Sequence, residues 1–303
     1  MPEAGYTKSR NVIDAIISLC KLEDLSVKNV GQSKNRINGM GGPFECFGKK
    51  LFAGAMNKSP NECSRLLEKE FSYSGQQNRP PDAMIRGGDA IEFKKVESWD
   101  STSLQLNSSF PKRSLTSDSS FISQKCRGVE TWTEKDIIYA VGVVKKSLLK
   151  RMWMVYGTDF CDDSSEYLNL RNPLEEVARE KVESQGYVMD LKSKEPVRVT
   201  GKIDHLDVTR FRLRAIWEIA SPWVVFNAQY TSSLEKHEER FGHRNFEFVA
   251  LINDEKWKAL GNADKLYELI KNGMTGLGVY EVTISNPNRP QDKRGAKMVI
   301  YTR

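Results

Sequence analysis

The 303-residue chain has few of the residues that build covalent or metal staples. Its five cysteines, Cys20, Cys46, Cys63, Cys126 and Cys161, are odd in number, widely spaced, and form no Cys-x-x-Cys pair. That argues against a disulfide framework or a structural zinc site, and for five free thiols in a reducing cytoplasm. Histidine is scarcer still. His237 and His243 are spaced like half a zinc site, but no cysteine pair accompanies them, so both are expected at the surface. No window of about 18 apolar residues exists to cross a membrane. The N-terminus shows no apolar secretory segment, and cytoplasmic placement with no membrane partner is expected. Internal repeats and low-complexity tracts are missing as well. Neither of the two glycine-rich stretches makes a nucleotide site. Gly42 to Lys50 has the wrong spacing for a phosphate loop, and Gly276-Leu277-Gly278 lacks a third glycine and precedes a strand. No Gly-x-Ser-x-Gly elbow occurs.

What is present suffices for a folded protein. Hydrophobic residues are 39 % and charged residues 28 %, so a sizeable core is expected and disorder is not. The net charge of +6 suits a polyanionic partner, though it suits many other soluble proteins equally.

The chain opens with helical spacing over residues 12–25, through Val12, Ile13, Ile16, Ile17, Cys20 and Leu25. Pro43 fits a first helical turn, with Phe44, Phe47, Leu51 and Phe52 as the buried stripe of a second helix. Ser59, Pro60 and Glu62 form a capping-box pattern that opens a third. From about residue 81 the period shifts to two, and residues 83–96 read as a β-hairpin around Arg86-Gly87-Gly88. Residues 100–125 read as a long loop with a short element. The apolar run Ile137 to Val144 suits a buried central strand, and Met152 to Tyr156 a second one. Residues 165–184 have helical spacing that Pro173 could break in two. Residues 208–214 and 246–252 alternate like strands. A helix over 254–272 ends at Gly273. Strands at 279–284 and 298–301 are joined by a basic loop. The class is α/β (α+β), a mixed β-sheet core flanked by helices, with N-terminal helices. One domain over 1–303 is expected: a helical part at 1–75, a core at 76–160, and at 161–303 a helical insertion with C-terminal strands.

The segment that carries chemistry is Pro81-Asp82 followed by Glu92-Phe93-Lys94. Cutting a phosphodiester requires a divalent cation to offset charge on the phosphate, an activated water and a stabilised leaving oxygen. Hard cations such as Mg²⁺ take carboxylate oxygens, and a nearby lysine supplies a compact positive charge. In a strand, residues i and i+2 share a face, roughly 6.6 to 6.8 Å apart. Glu92 and Lys94 therefore lie together, with Ile91 and Phe93 turned to a core. A three-residue loop, Arg86-Gly87-Gly88, sets Asp82 opposite Glu92, and such loops prefer glycine at their third position. A two-residue Gly87-Gly88 loop instead sets Ala83 opposite Glu92 and turns Asp82 away, unless a bulge corrects it. The first register is preferred because it assembles a site. The competing account is an exposed hairpin with solvated charges.

Base edges of duplex DNA are read in the major groove, where Arg or Lys pairs with guanine. Arg212 and Arg214, two positions apart on a predicted strand, are candidates. So are Asn107, Ser108, Ser109 and Lys112 after the catalytic strand, Arg36 in the polar stretch 32–36, and Arg289 and Arg294 in the basic loop. Each is otherwise an ordinary solvated group.

Pro80-Pro81-Asp82 to Lys94 resembles the signature of the PD-(D/E)xK nuclease superfamily. More widely, the chain resembles the NgoPII family of restriction endonucleases. The likeness lies in Asn11 to Ile16, Gly87-Gly88-Asp89-Ala90-Ile91-Glu92, Leu106-Asn107-Ser108-Ser109, Trp132-Thr133-Glu134-Lys135-Asp136, and Arg212-x-Arg214 to Trp217; residues 160–205 carry little of it. The resemblance implies a Mg²⁺-dependent type II enzyme that cuts double-stranded DNA at GGCC. Asp82 and Glu92 would hold the metal, Lys94 would be the third catalytic residue, and Glu45 could be a further acidic ligand. A palindrome suggests a homodimer, and a restriction enzyme implies a cognate DNA methyltransferase. The alternatives are a sequence-nonspecific or structure-selective repair nuclease and a non-catalytic DNA-binding protein.

Overall fold

The computed structural model describes residues 9–27, 42–75, 79–106, 109–190, 197–201, 203–213, 215–243 and 245–303. Three helices come first: α1 (Val12–Cys20), α2 (Gly42–Ala53) and α3 (Pro60–Glu70). The strands β1 (Phe71–Ser74), β2 (Ala83–Ile85), β3 (Ala90–Val96), β4 (Ser103–Leu106) and β5 (Ser114–Thr116) follow. Next are α4 (Gln124–Gly128), β6 (Glu134–Lys145), β7 (Leu148–Tyr156), α5 (Gly157–Phe160) and α6 (Ser164–Ser184). Then come β8 (Val188–Met189), β9 (Val197–Gly201), β10 (Phe211–Leu213), β11 (Trp217–Ala220), α7 (Pro222–Val225) and α8 (Asn227–Phe241). The chain ends with β12 (Glu247–Asn253), α9 (Asp254–Leu260), α10 (Asp264–Lys271), β13 (Leu277–Asn286) and β14 (Arg289–Thr302).

The main sheet runs β1-β2-β3-β6-β7-β12-β14-β13, with β5 paired to β6 off that path. It is mixed, because β3 pairs with β6 and β7 with β12 in parallel while the other neighbours are antiparallel. As the apolar run predicts, β6 is central and almost wholly buried. Alternation divides the sheet between two cores. Ile91, Phe93, Ile138 and Ala140 face α1, α2, α9 and α10, whereas Met84, Ala90, Tyr139 and Val141 face the layer of α4, α7 and α8. The expected mixed sheet between helices is what the chain builds.

Local chemistry fixes the helix starts. Asn11 caps α1 by accepting from Ile13 N, and Asp14 accepts in return from Asn11 N. Ser59 caps α3, accepting from Glu62 N, with Pro60 in the first turn. The stripe Phe44, Phe47, Leu51 and Phe52 is buried, as its spacing requires.

Several expectations change. α1 stops at Cys20, short of Leu25. The segment 100–125 holds β4, β5 and the start of α4. α6 continues through Pro173 as one helix; it has no buried residue, and its chain is not broken. β10 is three residues long and exposed. The predicted helix 254–272 is two helices, divided where Gly261 takes a left-handed conformation (φ 64°). The expected basic loop is strand: β13 and β14 form a long hairpin that carries Arg289, Lys293, Arg294 and Lys297 on β14. His237 is not at the surface. It is fully buried, with Nδ1 2.9 Å from Tyr280 Oη and Nε2 2.9 Å from Thr302 Oγ1. All five cysteines are free.

Candidate active site

The hairpin of β2 and β3 adopts the three-residue loop. Ala83 pairs with Ile91 and Met84 with Ala90, as that loop requires; Asp82 lies just before β2 and meets β3 on either side of Glu92, through Ile91 O and Phe93 N. The glycine in the left-handed region is Gly87 (φ 63°), the second loop residue and not the expected third. The loop is tied down on several sides. Gly87 N donates to Glu130 Oε2 (3.0 Å), Lys135 Nζ donates to Gly88 O (2.6 Å), and Asp89 meets Lys256 Nζ (2.8 Å) and Tyr156 Oη (2.9 Å). Such anchoring holds the two strands in one register.

Behind the strand, Phe93 packs edge-on to Phe44 (centroids 6.1 Å apart). Gly48 lies so close that a Cβ there would fall 2.1 Å from the Phe93 ring. β3 is thereby fixed on its apolar side, and Glu92 and Lys94 project from the opposite face.

On that face Lys94 Nζ stands 2.7 Å from Glu92 Oε1. Asp82 Oδ2 accepts from Phe93 N at 2.7 Å, and Asp82 N donates to Ile91 O at 3.1 Å. The side chain of Asp82 thus takes up a backbone donor of β3 where the ladder ends. Burial pushes the Asp82 carboxyl well above the usual carboxylate range, and the charge of Glu92 adds to it; Lys94 pulls the other way. Burial works against the charge on Lys94, but Glu92 and Asp82 outweigh it and raise its pKa.

Two carboxylates brought together in a low-dielectric setting lack positive charge. Glu92 Oε2 is buried without a hydrogen-bond partner. That orphaned oxygen beside Asp82 is what a hard divalent cation would satisfy, and Mg²⁺ commonly binds through one or two carboxylates with water and phosphate oxygens completing the shell. The donor set therefore fits. Glu45 is in a 2.7 Å ion pair with Lys49, and its charge is felt at Asp82. Among the described residues no group of three His, Cys, Asp or Glu could hold a metal ion.

The other predicted positions are scattered. Arg36, Asn107, Ser108 and Arg214 lie outside the described residues. Ser109 is half-buried, its hydroxyl donating to Phe110 O. Arg212 lies on β10, in a separate three-stranded sheet of β10, β9 and β8. Arg289 is exposed at the start of β14, well away from β3 in the strand order. The Arg294 guanidinium is held by the buried Asp159 (2.5 Å) and by Thr158 O, so it has a part in the fold. Lys112 is 4 % exposed and not on an open loop, and Glu92 is the strongest charge it feels. Sequence reasoning missed Tyr139, whose hydroxyl holds the Lys112 backbone; its one trace was an aromatic residue in the aliphatic run of β6.

Similarity to known proteins agrees with this geometry. A family model described as NgoPII restriction endonuclease matches residues 10–284. The chain is 42 % identical over 294 residues to the Type II restriction enzyme NgoPII of Neisseria gonorrhoeae, covering 96 % of this chain and 99 % of that one. No solved structure matches it. With both matches spanning most of the sequence, including the hairpin of Asp82, Glu92 and Lys94, the chain belongs to the NgoPII family of restriction endonucleases and is a hydrolase.

Proposed function

We propose that this restriction endonuclease hydrolyses phosphodiester bonds of double-stranded DNA at the palindrome GGCC, with Mg²⁺ as cofactor and Asp82, Glu92 and Lys94 as its catalytic residues. The observation that carries the site is the buried, partnerless Glu92 Oε2 next to Asp82 and Lys94. Asp82 and Glu92 would hold the metal, which supplies positive charge for the phosphate and activates water. Asp82 is kept in place by the Phe93 N–H and Glu92 by its strand. Lys94 enters as an ammonium, since the neighbouring carboxylates favour its charged form; it is a donor and a point charge for the attacking water or a phosphate oxygen, not a base.

The palindrome has a two-fold axis, and a symmetric homodimer places one active site on each strand. Support comes from α6, where Leu170, Leu174 and Val177 are exposed on one face at i, i+4 and i+7 spacing. Arg212, Arg214, Arg289, Arg36, Asn107, Ser108 and Ser109 are the proposed DNA contacts. A cognate methyltransferase would protect the host genome. The free cysteines suit a cytoplasmic setting, and among the described residues no helix is long and apolar enough to cross a membrane.

The deciding experiment is digestion of plasmid DNA with Mg²⁺ by the wild type and by Lys94→Ala. Discrete fragments ending at GGCC, lost in the variant, support the full reading. Fragments at another sequence remove the target, random degradation points to a sequence-nonspecific nuclease, and an intact plasmid overturns the nuclease.

A further inference from the structure

The segment after β4 brings a second lysine to the same face as Glu92. Glu92 and Tyr139 are register partners on β3 and β6, so their side chains share a face. The Tyr139 hydroxyl grips the Lys112 backbone on both sides, accepting from Lys112 N (2.7 Å) and donating to Lys112 O (3.2 Å). Phe110, two residues earlier, is locked in an aromatic cluster with Phe121, Tyr167 and Trp217. Lys112 is therefore positioned from both ends.

Its ammonium lies 4.0 Å from the Phe110 ring centroid and 5.1 Å from that of Phe121. It donates to no acceptor and pairs with no carboxylate among the described residues. Contact with aromatic faces returns only part of what burying an ammonium costs. A methionine would fill this space without that cost, so packing alone does not account for a lysine here.

We propose that Lys112 is a further catalytic residue: its ammonium, on the Glu92 face of the sheet and without an acceptor among the described residues, takes a non-bridging oxygen of the scissile phosphate when DNA binds. The inference rests on the phosphodiesterase reading above. Burial pushes the Lys112 pKa down to about 8, against the pull of Glu92, and an arriving phosphate would favour the charged form. Lys94 and Lys112 then have separate parts. The first is paired with Glu92 before DNA arrives, and the second waits unpaired for the anion.

The test uses a duplex that the wild type cuts, with and without sulfur replacing one non-bridging oxygen at the cleaved phosphate, each diastereomer in turn. Lys112→Met is expected to lower kcat about 100-fold, the loss seen when one preorganised donor is removed, with KM little changed. Its melting temperature should not fall, and Lys112→Arg should recover part of the rate. For one diastereomer, sulfur should slow the wild type but add little to the defect of Lys112→Met, because the contact is already gone. Wild-type rates in Lys112→Met, or a sulfur effect as large in the variant as in the wild type, overturn the proposal. Should Lys112→Met not fold, Lys112→Gln carries the same two readings. A wild type that cuts no DNA is a different result, which removes the nuclease reading itself.

Discussion

Lys94 Nζ lies 2.7 Å from Glu92 Oε1, while the other oxygen of that carboxylate is buried with no partner. One half of Glu92 is neutralised inside the protein and the other half is left open beside Asp82. The site is thus built with a deficit of positive charge, a local cost that the fold sustains through the anchored hairpin loop and the Phe93 contact behind it. This deficit shapes what mutation and pH should do.

The Asp82 carboxyl is raised above its ordinary value of 3.8 by burial and by Glu92. The folded state therefore keeps a proton that the unfolded chain has lost. Stability from this group falls as pH rises from 3.8 through the folded value, and the penalty is complete above it. Asp82→Asn should raise the melting temperature of the metal-free protein at neutral pH, since Asn can still accept from Phe93 N. The same variant should lose cleavage by about 1000-fold or more. Calorimetry without metal and a plasmid assay check the two halves; an unchanged or lower melting temperature refutes the first.

Much of this site was legible because its information is local. Period-two alternation, the glycine loop and the i, i+2 relation of Glu92 to Lys94 all operate within about 15 residues of sequence. The capping of α3 by Ser59 and the central position of β6 were legible for the same reason. What failed depends on distant partners. His237 is buried because Tyr280 and Thr302 reach it from β13 and β14. Lys112 is buried because the Tyr139 hydroxyl draws its backbone in. The charged run before Ala296 looked like loop because its residues are mostly exposed, yet pairing with β13 makes it strand. Pro173 leaves α6 intact on a helix with no buried face, where helical spacing alone does not say whether a proline interrupts the chain.

Arg294 and Arg289 should separate cleanly although they share β14. Arg294→Ala leaves Asp159 buried and unpaired, which costs about 3 kcal/mol. Arg289 is exposed, so Arg289→Ala should leave stability unchanged and reduce the salt dependence of DNA binding by about one unit of slope. Urea unfolding and binding titrations at several salt concentrations measure both. A DNA-binding defect without destabilisation in Arg294→Ala would make that residue a DNA contact instead.

His237 should make the protein acid-sensitive. Burial lowers its pKa from 6.5 to about 4, so it is neutral in the folded state. Unfolded chains bind the proton first, and this contribution to stability is present above pH 6.5 and is lost as pH falls toward 4. The loss amounts to about 3 kcal/mol over that window. Stability curves of wild type and His237→Gln should converge on acidification, the variant being less stable at neutral pH and less steep below it. Parallel curves would show that His237 does not carry the effect.

The α6 stripe offers the sharpest test of assembly. Leu170, Leu174 and Val177 are 59, 63 and 64 % exposed, an arrangement that an isolated chain leaves in water. A charge in the middle of the stripe would be costly in a helix-to-helix contact and harmless on a free surface. Leu174→Asp is therefore expected to shift the protein from dimer to monomer in sedimentation while leaving its melting behaviour nearly unchanged. With two sites no longer held on one palindrome, a supercoiled plasmid should accumulate as nicked circles before linear DNA appears, where the wild type yields linear DNA directly. A variant that remains dimeric and cuts both strands together would place the two-fold contact elsewhere on the molecule.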